Sequence, residues 1–178
     1  MSQILAIDPG PSLSAFALLR EDGWPVDIGI TDNESLLHTL RWSEGCIFDA
    51  SDMAIEMVAC YGMPVGAEVF DTCVWIGKFA EAWSGGGDYN VHYVFRKDVK
   101  MNLCNNMRAK DSNIRQALID RYGGKEKGVG KKDKRGPLYG AKKDIWAAIA
   151  VGVTFLDKEE ADGRLRETGD STRREVEV

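Results

Sequence analysis

Two carboxylates stand in apolar stretches where a charge is costly to bury without a partner. Asp8 ends the run Ile4-Leu5-Ala6-Ile7, and Glu56 follows Met53-Ala54-Ile55. A third acid, Asp144, opens the apolar segment Ile145-Trp146-Ala147-Ala148-Ile149-Ala150. Acids brought together at the ends of separate elements repel one another unless a divalent cation bridges them, and oxygen ligands suit Mg²⁺, with Mn²⁺ as a substitute. Three such acids would make a two-metal phosphodiesterase site. Capping, surface solvation or ion pairing explains each acid taken singly, and for Asp144 a helix cap or dipole partner is sufficient. Imidazole chemistry has little to draw on, because His38 and His92 are the only histidines. Cys46, Cys60, Cys73 and Cys104 form no C-x-x-C pair and read as reduced thiols.

The elements that must position these acids follow from the apolar pattern. Residues 3–8 read as a buried strand, Pro9-Gly10-Pro11-Ser12 as a turn, and Leu13–Arg20 and Val26–Ile30 as two further strands of an antiparallel meander. Asn33 is a candidate N-cap for a helix to about Ser43, with Leu36, Leu37 and Leu40 as its stripe. Asp52–Val58 is a strand and Pro64–Trp83 a long helix, with Val69, Cys73, Ile76 and Ala80 on one face; Tyr89–Phe95 is the fifth strand. Short helices are expected from Asp98 to about Asn105 and over Ser112–Tyr122, and a strongly apolar one over Asp144–Leu156. Gly123–Gly136, rich in glycine and lysine, reads as a mobile basic loop, and the charged segment from Asp157 as a frayed or disordered tail. The expected domain is therefore 1–156, with 157–178 as tail. Its class is α/β, a mixed five-stranded sheet in which three antiparallel strands are extended by two parallel ones through crossovers.

At 178 residues, with 44% hydrophobic and 29% charged, the chain is long enough to bury one core. No apolar run approaches the roughly 18 residues of a membrane span, and no basic region marks a secretory signal. A cytoplasmic protein is expected. The net charge of −5 hides an asymmetry: from Arg96 to Lys143 there are 15 Lys/Arg against 5 Asp/Glu. Local fields rather than net charge steer a polyanion. Arg96, Lys97, Arg108, Arg115, Lys131, Lys132, Lys142 and Lys143 are candidate DNA contacts in this segment.

At these residues the sequence resembles the RuvC-type Holliday junction resolvases of the ribonuclease H-like superfamily, phage-type members especially. The opening Ile-Leu-Ala-Ile-Asp8-Pro-Gly-Pro-Ser-Leu-Ser-Ala-Phe-Ala-Leu is similar to the family's first strand, turn and second strand, and Ala54-Ile55-Glu56-Met57-Val58 to its second acidic strand. Val99-Lys100, then Lys110 followed by Ser112-Asn113-Ile114-Arg115, is similar to the stretch carrying two active-site lysines. Asp144 with Ala147-Ala148-Ile149-Ala150 resembles the closing helix.

The resemblance implies a homodimeric endonuclease that cuts four-way junctions by paired symmetric nicks leaving 5′-phosphates. Asp8, Glu56 and Asp144 would hold two ions, and Lys100 and Lys110 would act at the scissile phosphate or serve as backbone-phosphate contacts. Two departures stand out. Family members often carry another acid where this chain has Ala141, so Asp111 is a candidate substitute, with an N-cap as its other role. An aromatic often follows the acidic strand, but position 59 is Ala, leaving Tyr61 as the candidate junction wedge. Trp75 and Phe79 in the long helix could supply a dimer interface or the monomer core. Competing readings are a nuclease of flaps, forks or RNA–DNA hybrids, a non-catalytic junction-binding scaffold, and an actin-like ATP-binding domain using residues 8–12 as a phosphate loop.

Overall fold

The structure is a computed structural model and describes residues 3–42, 50–60, 62, 64–85 and 89–174, with Trp42 and residues 164–174 as backbone alone. Strands β1 (Gln3–Asp8), β2 (Leu13–Arg20) and β3 (Pro25–Asp32) form the antiparallel meander. Helix α1 (Asn33–Trp42) leads to β4 (Ala50–Met57), and α2 (Ala67–Ser84) to β5 (Asn90–Phe95). β4 pairs parallel to β1, and β5 parallel to β4, giving the order β3-β2-β1-β4-β5. This is the mixed five-stranded sheet expected from the sequence.

Both faces of the sheet are covered, which is why β1 and β4 read as unbroken apolar runs rather than as alternation. Ile4, Ala6, Ala17, Leu19 and Ala54 face a core shared with α5 (Ile145–Arg174) and with α3 (Arg96–Cys104) and α4 (Asp111–Arg121). Leu5, Ile7, Met53 and Ile55 face the other core, with Leu36, Leu37 and Leu40 of α1 and Ile76, Phe79 and Trp83 of α2. α5 lies close on the sheet at Gly152. A Cβ there would stand 2.3 Å from Leu19 Cδ1 and 2.9 Å from Ala6 Cβ.

Four local expectations differ from the structure. Asn33 is the first residue of α1, and the Asp32 carboxylate accepts from Ser35 N at 2.9 Å in the capping role. Asn33 is instead buried as a brace, described below. On α2, Cys73 is exposed and Phe79 fully buried, because the helix turns Thr72, Ile76, Phe79 and Trp83 inward.

Residues 123–136 hold a π-helical turn (Lys125–Val129) and a two-stranded hairpin, β6 (Gly130–Lys131) and β7 (Lys134–Arg135). Backbone bonds close it: Gly136 N donates to Val129 O at 3.0 Å, and Leu138 N to Gly128 O at 2.8 Å. The glycines permit that packing, since a Cβ on Gly136 would lie 2.1 Å from Lys127 O. Finally, α5 continues past Leu156 to Arg174. Asp157, where the charged segment begins, accepts from Arg121 at 2.6 and 2.8 Å and from Asn102 at 2.7 Å. Among the described residues no helix is long and apolar enough to cross a membrane.

Candidate active site

Strand parity decides where the two strand acids point. In β1, positions 4 and 6 face α5, so Asp8 faces α5; in β4, Ala54 faces α5, so Glu56 does too. Parallel pairing with Ile7 opposite Ile55 then sets Asp8 and Glu56 side by side, one residue beyond the last register pair. The chain after Asp8 must turn sharply, and a polar brace holds that turn. Ser14 Oγ donates to Asn33 Oδ1 at 2.7 Å, Asn33 Nδ2 donates to Gly10 O at 2.9 Å, and Asn33 N donates to Ser12 O at 3.0 Å. Gly10 is obligatory at this point, because a Cβ would stand 2.5 Å from Leu13 O.

The third acid arrives with α5. Asp144 immediately precedes the helix, and its carbonyl accepts from Ala147 N and Ala148 N at 2.9 and 3.0 Å. Lys143 before it has φ 46°, a left-handed conformation that costs a non-glycine residue about 1 kcal/mol. These elements enclose an open cavity of about 230 Å³ lined by Asp8, Glu56, Arg96, Asp111, Ile114, Lys143, Asp144, Trp146 and Ala147. The three carboxylates singled out in the sequence therefore meet at one place.

Their electrostatics are those of a strained anionic cluster. Burial, then the charges of Glu56 and Asp144, push the Asp8 carboxyl up to about 8, against the pull of Arg96. Burial raises Glu56 as well, opposed by Arg96 and, more weakly, by Lys100. Arg96 donates to Glu56 Oε2 at 3.3 Å and to Asp111 Oδ1 at 2.5 Å. Oxygen-only donors around a cavity, with the carboxyl of one acid raised first by burial and then by its neighbours' charge, fit a hard divalent cation. Among the described residues no three carboxylate, imidazole or thiolate groups are already closed into a metal cage.

The remaining candidates divide. Lys100 is near enough to act on Glu56, and Lys143 lines the cavity. Arg115 lies over the Trp146 ring at 4.8 Å, beside the cavity wall. Lys110 is the N-cap residue of α4: its N–H donates to Asn113 Oδ1 at 2.9 Å. Asp111 is thus the first helical residue rather than the cap, and it bonds Arg96. Ala141 does not line the cavity. Lys97, Arg108 and Lys142 are exposed and do not line it either; Lys131 and Lys132 lie on the β6–β7 hairpin. Tyr61 lies outside the described residues. From sequence alone Arg96 is only a candidate DNA contact, and Trp146 is one more apolar residue of the closing helix. Arg96's place one residue beyond β5, beside the end of β4, was the available signal for its ion pair.

No family model matches the chain and no curated protein matches its sequence. Solved structures do match. Thermus thermophilus RuvC has a TM-score of 0.65 at 14% identity, covering 89% of this chain and 96% of that one. T. thermophilus RuvC in complex with Holliday junction substrate has a TM-score of 0.63 at 13% identity, covering 86% and 92%. Fowlpox virus resolvase in complex with substrate Holliday junction DNA has a TM-score of 0.51 at 13% identity, covering 87% and 99%. With three strand and helix ends delivering acids to one cavity on a β3-β2-β1-β4-β5 sheet, this chain has the RuvC-like, ribonuclease H-like fold.

Proposed function

We propose that the protein is a divalent-cation-dependent endonuclease that resolves four-way DNA junctions by paired symmetric nicks leaving 5′-phosphates. The observation that carries this reading is the convergence of Asp8, Glu56 and Asp144 on one cavity. The similar T. thermophilus and Fowlpox virus structures in complex with Holliday junction DNA support the choice of substrate. Asp8, Glu56 and Asp144 would hold two Mg²⁺ ions, which supply Lewis acidity for phosphodiester hydrolysis. Lys100, half-buried beside Glu56, and Lys110, exposed at the start of α4, contribute positive charge for the scissile phosphate. Arg115, which lies over Trp146 of the cavity wall, and Lys143, which lines the cavity, continue that charge; the exposed Lys142 and, on the hairpin, Lys131 and Lys132 would contact the DNA backbone farther out. Tyr61 follows β4 in the chain and keeps its proposed role as junction wedge.

Cutting both strands of a two-fold symmetric junction calls for two sites, hence a C2 homodimer. Phe79 is unsuited to that interface because it is fully buried, and Trp75 packs partly inward. The outer face of α2 offers Phe70 (63% exposed) and Val74 (57% exposed) one turn apart instead.

Labelled four-way junction, fork, flap, RNA–DNA hybrid and linear duplex, each incubated with Mg²⁺ or EDTA, test the proposal. Paired nicks confined to the junction, lost in EDTA and in Asp8→Asn and Glu56→Gln while binding persists, are expected. Equal cleavage of linear duplex would overturn junction specificity. ATP hydrolysis without cleavage would restore the actin-like reading.

A further inference from the structure

The carboxylate cluster already contains a cation of its own. Arg96 is the first residue of α3, where the helix dipole disfavours positive charge. It is held there by two acids of contrasting exposure: Glu56, whose side chain is 16% exposed, and Asp111, whose side chain is 82% exposed. The register puts Phe95 opposite Met57, so Arg96 emerges from β5 beside the end of β4. Its bond to Glu56 is the longer, at 3.3 Å, and that to Asp111 the shorter, at 2.5 Å. A guanidinium has five donors in a fixed fork and can keep one carboxylate while releasing another.

We propose that Arg96 is a built-in counter-ion that neutralises Glu56 in the metal-free protein and yields it to an entering divalent cation. Asp111 is the anchor that retains Arg96 after it leaves Glu56, rather than a ligand replacing the acid absent at Ala141. The assignment rests on the proposed metal-dependent nuclease. It explains why four acids surround the cavity without forming a closed metal cage. Arg96 and the cation compete for one carboxylate, so removing the arginine strengthens metal binding. Removing the anchor leaves Arg96 with Glu56 alone and weakens it.

Mn²⁺ binding to the metal-free, DNA-free full chain, read by the paramagnetic resonance of free Mn²⁺, separates these roles. Arg96→Gln is expected to bind Mn²⁺ about tenfold more tightly than wild type, the scale set by removing one like charge a few ångströms away. Asp111→Asn is expected to bind more weakly, and the double variant to match Arg96→Gln. Mn²⁺ should also raise the melting temperature of Arg96→Gln by more than that of wild type. Should Arg96→Gln fail to fold, Arg96→Lys, which keeps the charge but loses the fork, is expected to bind with intermediate affinity.

Unchanged or weaker binding in the Arg96 variants, with wild type still binding Mn²⁺, overturns the counter-ion role alone. An equal loss on adding Asp111→Asn to either background makes Asp111 a ligand and overturns the anchor. A wild-type protein that binds no Mn²⁺ overturns the metal-dependent reading beneath both.

Discussion

Asp8 carries a charge conflict that its surroundings cannot relieve alone, since burial and the charges of Glu56, Asp144 and Asp111 outweigh one arginine. An ordinary aspartate titrates near 3.8 and Asp8 at about 8, so folding favours its protonated form. The stability this contributes is complete below about pH 4 and is lost as pH rises through about 8. Thermal unfolding of the metal-free protein should therefore show the melting temperature falling between about pH 5 and pH 9. Asp8→Asn should flatten part of that fall and melt above wild type at the alkaline end; parallel profiles would count against the conflict. The lysines offer a separate test. Lys110 caps α4 through backbone atoms, its N–H bonding Asn113 Oδ1 and its carbonyl accepting from Asn113 N and Ile114 N. Lys110→Ala should then shift stability by no more than about 0.5 kcal/mol. In single-turnover kinetics turnover should fall about 100-fold with affinity little changed. A pure affinity loss would assign Lys110 to phosphate binding.

At the scale of elements, the site depends on how closely α5 lies on the sheet and on how the turn after β1 is held. Gly152→Ala forces a methyl against Ala6 Cβ and Leu19 Cδ1, and only the leucine end can move aside. Denaturant unfolding should show a loss of about 1–3 kcal/mol from this overpacking. The shift also displaces the start of α5, and so Asp144, so cleavage should fall more than the folded fraction does. Asn33→Ala removes the acceptor for Ser14 Oγ and the donor to Gly10 O, in a site where both Asn33 and Ser14 are buried. A cost of about 1–3 kcal/mol is expected in the same measurement. A neutral result would mean that the 9–12 turn holds itself.

For the molecule as a whole, the uncovered apolar face of α2 bears on assembly. Phe70 and Val74 project from the side of the helix opposite Ile76, Phe79 and Trp83, so charging them leaves the core intact. Sedimentation of Phe70→Asp/Val74→Asp should give a monomer where wild type gives a dimer, with unchanged melting of the monomeric unit. A wild-type monomer would overturn the homodimer, and a dimer that survives both changes would place its interface elsewhere. Paired nicking should become uncoupled single nicking in the monomeric variant.

Much of this protein is determined by local pattern. Short apolar runs, tight turns and helical stripes are properties of neighbouring residues, and they specify five strands, their crossovers and the acids that end two of them. Period-two alternation even determines that Asp8 and Glu56 share a face once the strands are known to be neighbours. What the sequence leaves undecided depends on distant partners. Residues 123–136 are built from locally weak formers, and their order comes from bonds closed across the loop, Gly136 to Val129 and Leu138 to Gly128. Asn33 has the composition of a cap, yet burial against Ser14 and Gly10 makes it a brace. Arg96 is one more cation in a basic segment until β5 pairs with β4 and carries it to Glu56. The three acids are legible along the chain because each stands at or next to the end of an element. The cation among them is not, because opposite charges 40 residues apart become partners only when the sheet closes the distance.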